Sequence, residues 1–123
     1  MTRTPIAALP SAAILALAAF LLVSPVLARE CMQASWYGTE SGNRTATGDY
    51  FDGSSLTAAM PSRKYLGHRY RVTFKGRSVV VRINDIGPHK RTGRGIDLSR
   101  AAAAQIDLIV PGHGKVCIER LPS

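Results

Sequence analysis

Acidic residues are scarce in this 123-residue chain, where eight Asp and Glu stand against sixteen Lys and Arg for a formal net charge of +8. A surplus of that size directs the protein toward anionic partners. Cysteine is scarcer still: there are two, Cys31 and Cys117, with no CxxC spacing and no histidine at ligand spacing near either. Metal-centred and dithiol redox chemistry are therefore set aside, and no cofactor is expected. His68, His89 and His113 are widely separated and read as loop or surface residues. Basic–aromatic stacking motifs that would turn the charge toward nucleic acid are also missing. Beyond residue 28 there is no internal repeat and no low-complexity segment.

What is present begins with one apolar run, Ser11 to Val23, behind a short polar start that contains Arg3. Its length and character are those of a signal-peptide core. Val26-Leu27-Ala28 then offers compact residues for a peptidase, with Arg29-Glu30 next, so cleavage is expected after Ala28. The competing reading is an uncleaved anchor, since Ile6 to Leu27 could just span a bilayer if Pro10 and Pro25 were tolerated. Ala-Arg-Glu ahead of Cys31 does not resemble the small apolar residues of a lipoprotein signal. Residues 1–28 are thus read as a signal peptide and 29–123 as one domain with a modest core. The expected product is a monomer exported to the periplasm or beyond, envelope-associated and without a stable membrane anchor. Its anionic partners there would be peptidoglycan carboxylates, acidic wall polymers or lipid head groups. Cys31 and Cys117 lie at the two ends of that domain and are expected to pair in an oxidising compartment. A bridge closing so long a loop stabilises by roughly 4 kcal/mol on the chain-entropy estimate.

Met32 to Tyr37 reads as a strand ending at Gly38, and the small polar stretch Thr39 to Gly48 as a surface loop. Tyr70, Val72 and Phe74 alternate with polar residues, as do Val79, Val81 and Ile83 after Lys75-Gly76, which predicts a hairpin. Lys75 suits positive φ poorly, so a bulged or longer turn competes with a tight one. Gly87-Pro88 ends the second strand and leaves Asp85 at its terminus. Ser99 is a plausible N-cap for a short helix over the alanine run, ending before Asp107 or Leu108. Pro111-Gly112 turns the chain into a last strand through Val116 and Ile118, bringing Cys117 beside Cys31 if first and last strands are neighbours.

The few carboxylates can be examined one by one. Asp49 and Asp52 share an aromatic-containing loop, Asp85 lies at a strand end, and Asp97 precedes the helix. Carboxyl groups converging on a cleft suit carbohydrate chemistry, because glycosidic cleavage needs a proton on the leaving oxygen and a charge to balance an oxocarbenium-like transition state. The bland alternative makes Asp49 and Asp52 turn caps and Asp97 a helix cap, and for Asp97 it is the favoured one.

Several ordered blocks resemble the RlpA family. They are Ala34-Ser35-Trp36-Tyr37-Gly38, Thr45-Ala46-Thr47-Gly48 with Phe51-Asp52, Leu56-Thr57-Ala58-Ala59, Arg77 to Asp85 with Gly87-Pro88, and Ile96-Asp97-Leu98-Ser99 with the alanines after it. The resemblance implies a mainly β fold, a six-stranded double-psi β-barrel with one short helix, related in architecture to expansins. It implies endolytic lytic transglycosylation of peptidoglycan: cleavage of the MurNAc–GlcNAc bond without water, leaving a 1,6-anhydro-muramyl end. Asp85 matches the family's catalytic acid, which must be protonated to act and is expected to have a raised pKa. Asp52 matches a second active-site Asp, and Asp49 stands where enzymatic relatives have Glu. Trp36, Tyr37, Thr57, Asn84, Arg63 and Lys64 complete the expected site as substrate-binding residues, with at least one of Trp36 and Tyr37 expected in the core. Met60 replaces a His, Ile86 and His89 depart from the usual residues around Gly-Pro, and Pro61 to Leu66 is a basic variant of an apolar segment. Two other functions compete: a non-catalytic peptidoglycan-binding or expansin-like wall-loosening module, and a small secreted interaction protein.

Overall fold

The computed structural model describes residues 29–37, 44–50 and 52–123. The apolar run, the expected cleavage site and residues 38–43 of the predicted loop lie outside the described residues. Six strands, β1 (Arg29–Trp36), β2 (Thr57–Met60), β3 (Arg69–Phe74), β4 (Arg77–Ile86), β5 (Ile96–Leu98) and β6 (His113–Arg120), close into a barrel in the order β1-β5-β2-β4-β3-β6. With the short helix α1 (Arg100–Gln105), this is the six-stranded double-psi barrel that the sequence led us to expect.

Period-two burial drives the long strands together. Tyr70, Val72 and Phe74 of β3 and Val79, Val81 and Ile83 of β4 point inward with Val116 and Ile118 of β6, while intervening residues face water. The hairpin between β3 and β4 is tight: Phe74 pairs with Arg77, and Lys75 and Gly76 both take positive φ, at 48° and 84°. That is the backbone a two-residue turn demands, so Lys75 accepts the conformation the sequence made doubtful. β1 pairs with β6 in unbroken antiparallel register from Arg29↔Glu119 to Ser35↔His113. Cys31 and Cys117 are direct partners in it and form the expected disulfide.

Two strands were not legible as such. β2 is buried at all four positions and β5 is three residues long, so neither shows a polar–apolar alternation over useful length. β5 runs parallel to β1 and antiparallel to β2, and β2 runs parallel to β4. α1 begins where expected, with Ser99 Oγ accepting from Ala102 N at 3.2 Å. Asp97 is therefore not the helix cap it was expected to be; it lies within β5, because the hydroxyl two residues later already satisfies the helix start. Ala102, Ala103, Ile106 and Leu108 bring the helix and its exit into the same core as Ile96, Leu98 and Met60.

Candidate active site

The outer face of β4, β2, β5 and β1 presents one row of residues in register. Asp85 pairs with Ala59, Ala59 with Asp97, and Asp97 with Ser35. Ala58, Ile83, Ile96 and Leu98 occupy the core, so this row faces outward by alternation. A bulge between Ala58 and Ala59 makes it possible: Ala58 pairs with Ile83 but Ala59 with Asp85, leaving Asn84 as the extra residue. Strict alternation along β4 would have turned Asp85 inward; the bulge re-aims it onto the outer face. Asp85 and Asp97 flank the small Ala59 two strand spacings apart, roughly 10 Å between backbones.

Asp85 is half-buried, and its Oδ1 accepts two backbone amides, Ala46 N at 3.0 Å and Ile86 N at 2.9 Å. Those bonds orient the carboxyl and leave Oδ2 as the oxygen able to hold a proton. Tyr37 extends the β1–β5 pairing by one residue through Tyr37 N to Leu98 O, 3.0 Å. Burial pushes its phenol up; a side-chain hydrogen bond with Thr57 pulls it down, and the charges of Asp97 and Asp85 push it up further. Both carboxylates thus act on one phenol, which stays protonated and is hydrogen-bonded with Thr57. Trp36 turns the other way: its ring packs against the core and its Nε1 donates to Ile109 O at 3.2 Å. Of the aromatic pair, Trp36 is the core-associated member and Tyr37 the one beside the carboxylates.

Asp49 and Asp52 border a neighbouring cavity of about 410 Å³ with Tyr50, Leu56, Thr57 and Asn84. Asp49 Oδ2 receives the Arg82 guanidinium and Thr47 Oγ1 (3.0 Å for the latter), and these bonds, Arg82 first, hold its carboxyl below the usual range. Asp52 accepts Ser54 Oγ at 2.6 Å, Ser54 N at 2.8 Å and Ser55 Oγ at 3.1 Å, and Ser54 chiefly holds it low in the same way. Both are therefore fixed negative charges, unsuited to giving up a proton near neutrality. Asn84 is 4% exposed, and its Oδ1 has no hydrogen-bond partner, an orphaned acceptor bordering the cavity. Its carbonyl oxygen accepts Thr47 N at 3.2 Å, so the loop through Ala46 and Thr47 is clamped on the end of β4.

The remaining expected residues lie apart. Arg63 and Lys64 fall on a short turn after β2, where Lys64 Nζ sits 5.1 Å from the Tyr65 ring centroid. Lys64 borders a different cavity, of about 370 Å³, with Met32 and Met60. Met60 is 1% exposed and part of the core, so the position expected to hold a His is an interior apolar one. Sequence reasoning missed Asp97 as a site residue, together with its partners: Ser35 Oγ donates to Asp97 Oδ1 at 2.7 Å, and Arg94 Nη1 lies 4.0 Å from the same oxygen. The pattern Ile96-Asp97-Leu98, with one polar residue between two apolar ones, was the available signal.

With this geometry in hand, the likenesses to known proteins fall into place. A family model described as lytic transglycolase matches residues 29–118. An endolytic peptidoglycan transglycosylase RlpA of Yersinia pestis is 51% identical over 78 residues, covering 61% of this chain and 21% of that one. The chain therefore spans about a fifth of that curated relative's length. Among solved structures, a Streptomyces papain inhibitor is similar with a TM-score of 0.65 and 23% identity, over 80% of this chain and 98% of that one. A Clavibacter michiganensis expansin is similar with a TM-score of 0.60 and 20% identity, over 78% of this chain and 52% of that one. At those identities the two structures speak for the barrel alone.

Proposed function

Since the chain belongs to the lytic transglycolase family, we propose that it cleaves peptidoglycan glycan strands endolytically, with Asp85 as the proton donor. The observation that carries the proposal is the asymmetry of that carboxyl: Oδ1 is occupied by two amides, no hydrogen bond among the described residues engages Oδ2, and its charge reaches the Tyr37 phenol. In this reading Oδ2 gives its proton to the GlcNAc O4 as the bond to MurNAc C1 breaks. The same oxygen, now a carboxylate, takes the proton of the MurNAc C6 hydroxyl as that oxygen bonds to C1. The proton is returned, no water is consumed, and a 1,6-anhydro ring remains. Asp97 supplies the negative charge that faces the oxocarbenium-like carbon, and Tyr37 donates to a sugar oxygen. Asp49 and Asp52 accept sugar hydroxyls. Export with cleavage after Ala28 belongs to the same proposal, since a glycan substrate requires the envelope.

A second reading, a wall-binding or loosening module without turnover, draws on one observation: Met60, which replaces the family's His, is a core residue. Mass analysis of purified peptidoglycan after incubation with residues 29–123 separates the two. Anhydro-muramyl products support the first, reducing-end products indicate hydrolysis, and binding without products selects the second.

A further inference from the structure

Ser35 and Arg94, whose side chains both reach Asp97, line a cavity of about 580 Å³ that no part of the proposed reaction uses. We propose that it is an anion subsite taking a carboxylate borne on a sugar ring, with Arg94 as the recognising group; the inference rests on the reading that a glycan strand lies across the carboxylate row.

The chain builds the site deliberately. After β4, the turn Lys90–Thr92 is closed by Thr92 N and Thr92 Oγ1 donating to His89 O at 2.9 and 2.8 Å. Gly93 takes φ 73°, a left-handed conformation open to glycine, and Arg94 N then donates to Thr92 Oγ1 at 3.2 Å. This sequence of turns brings Arg94 back over β1. There Nη1 donates to Ser35 Oγ at 2.5 Å, beside Asp97. One nitrogen is anchored, while Nε and Nη2 have no partner among the described residues and Arg94 borders the cavity. A held guanidinium with two donors to spare matches a carboxylate fork to fork. His113, the register partner of Ser35, offers a further donor, and Trp36 and Gln33 provide an apolar wall and an amide.

Charge decides which ligand belongs at which end. The 410 Å³ cavity is lined by the carboxylates of Asp49 and Asp52 against the single cation Arg82, which Asp49 already pairs, and so disfavours an anion; the 580 Å³ cavity is lined by Arg94 and by no carboxylate, Asp97 lying beside it and not in its lining. A strand with a carboxylate on every second sugar is thereby set in one direction, its acidic sugar at Arg94.

The single tryptophan of the chain, Trp36, lines this cavity and reports on it by fluorescence. Titration with the GlcNAc–MurNAc disaccharide and with its muramyl methyl ester compares a carboxylate with a neutral group of like shape. The acid is expected to perturb Trp36 emission and to bind at least about tenfold more tightly than the ester. Arg94→Gln should bring the acid down to the ester's affinity without changing the ester's, and Arg94→Lys should keep part of the preference. Equal affinities, an unaltered preference in Arg94→Gln, or no response to either ligand would overturn the subsite. Asp85→Asn should retain the preference in full while forming no product; a wild-type protein that shows the preference but forms no product sinks the catalytic reading alone, and turnover without discrimination sinks the subsite alone.

Discussion

The wall formed by β1, β6 and β3 and the wall formed by β5, β2 and β4 belong to one barrel but are held by different means. β1 and β6 are eight residues each, antiparallel in unbroken register and joined by the Cys31–Cys117 bridge. β2 and β5 have four and three residues, one pairing is interrupted by a bulge, and the outer face bears Asp85 and Asp97. Long strands in full register and a covalent link let the first wall be stable without help from its surface. The second then has freedom to expose charges that contribute little to folding and to shift register by one residue where chemistry needs a side chain re-aimed. The contrast makes definite claims about what each substitution should touch.

Asp85→Asn should produce the largest change, a loss of order 10² to 10⁴ in anhydro-product formation, the usual contribution of a general acid. Asn can keep the Oδ1 bonds to Ala46 N and Ile86 N, so thermal stability should hardly move. A comparable fall in melting temperature would mean that the active wall is structural after all. Cys31→Ser with Cys117→Ser should do the reverse, costing roughly 4 kcal/mol in denaturant unfolding with turnover per folded molecule retained.

Met60→His should act on stability alone. Met60 stands where the resemblance has a His, yet it lies in the interior among apolar side chains, where an imidazole must bury its ring nitrogens. We expect a loss of about 1–3 kcal/mol and no gain in activity; a gain would show that the residue reaches the groove. The smallest effect should follow acid titration of the loop. Asp49 and Asp52 titrate below their ordinary range when folded, so their contribution is present above about pH 4 and falls away as pH drops through the folded values. Asp49→Asn should flatten the stability profile below that pH, and proteolysis of the 44–50 loop should show it, since Asp49 ties that loop to Arg82 on β4.

What could be read in the sequence follows the same division. β3, β4 and β6 announced themselves through alternating apolar residues, β1 as a run closed by Gly38, and the disulfide through the placement of both cysteines at the two ends of the domain. β2 and β5 did not, since four buried residues and three residues before an alanine run show no usable period. Asp85 was legible from Gly87-Pro88 behind it, and Asp52 and Asp49 from the resemblance. Asp97 was misread because an Asp just ahead of a helix satisfies capping preference; Ser99 competed for the same role, and the Ala102 N–H donated to Ser99 Oγ decides between them. The Asp49–Arg82 pair and the bulge at Asn84 depend on contacts between distant segments, which no local pattern encodes.

The central claim is that Asp85 serves the sugar's own hydroxyl and not water. Digestion of sacculi by residues 29–123 in H₂¹⁸O, with products weighed by mass spectrometry, tests it most directly. Anhydro-muramyl ends free of ¹⁸O are the predicted result, and one ¹⁸O at each new reducing end, or intact glycan, would contradict it.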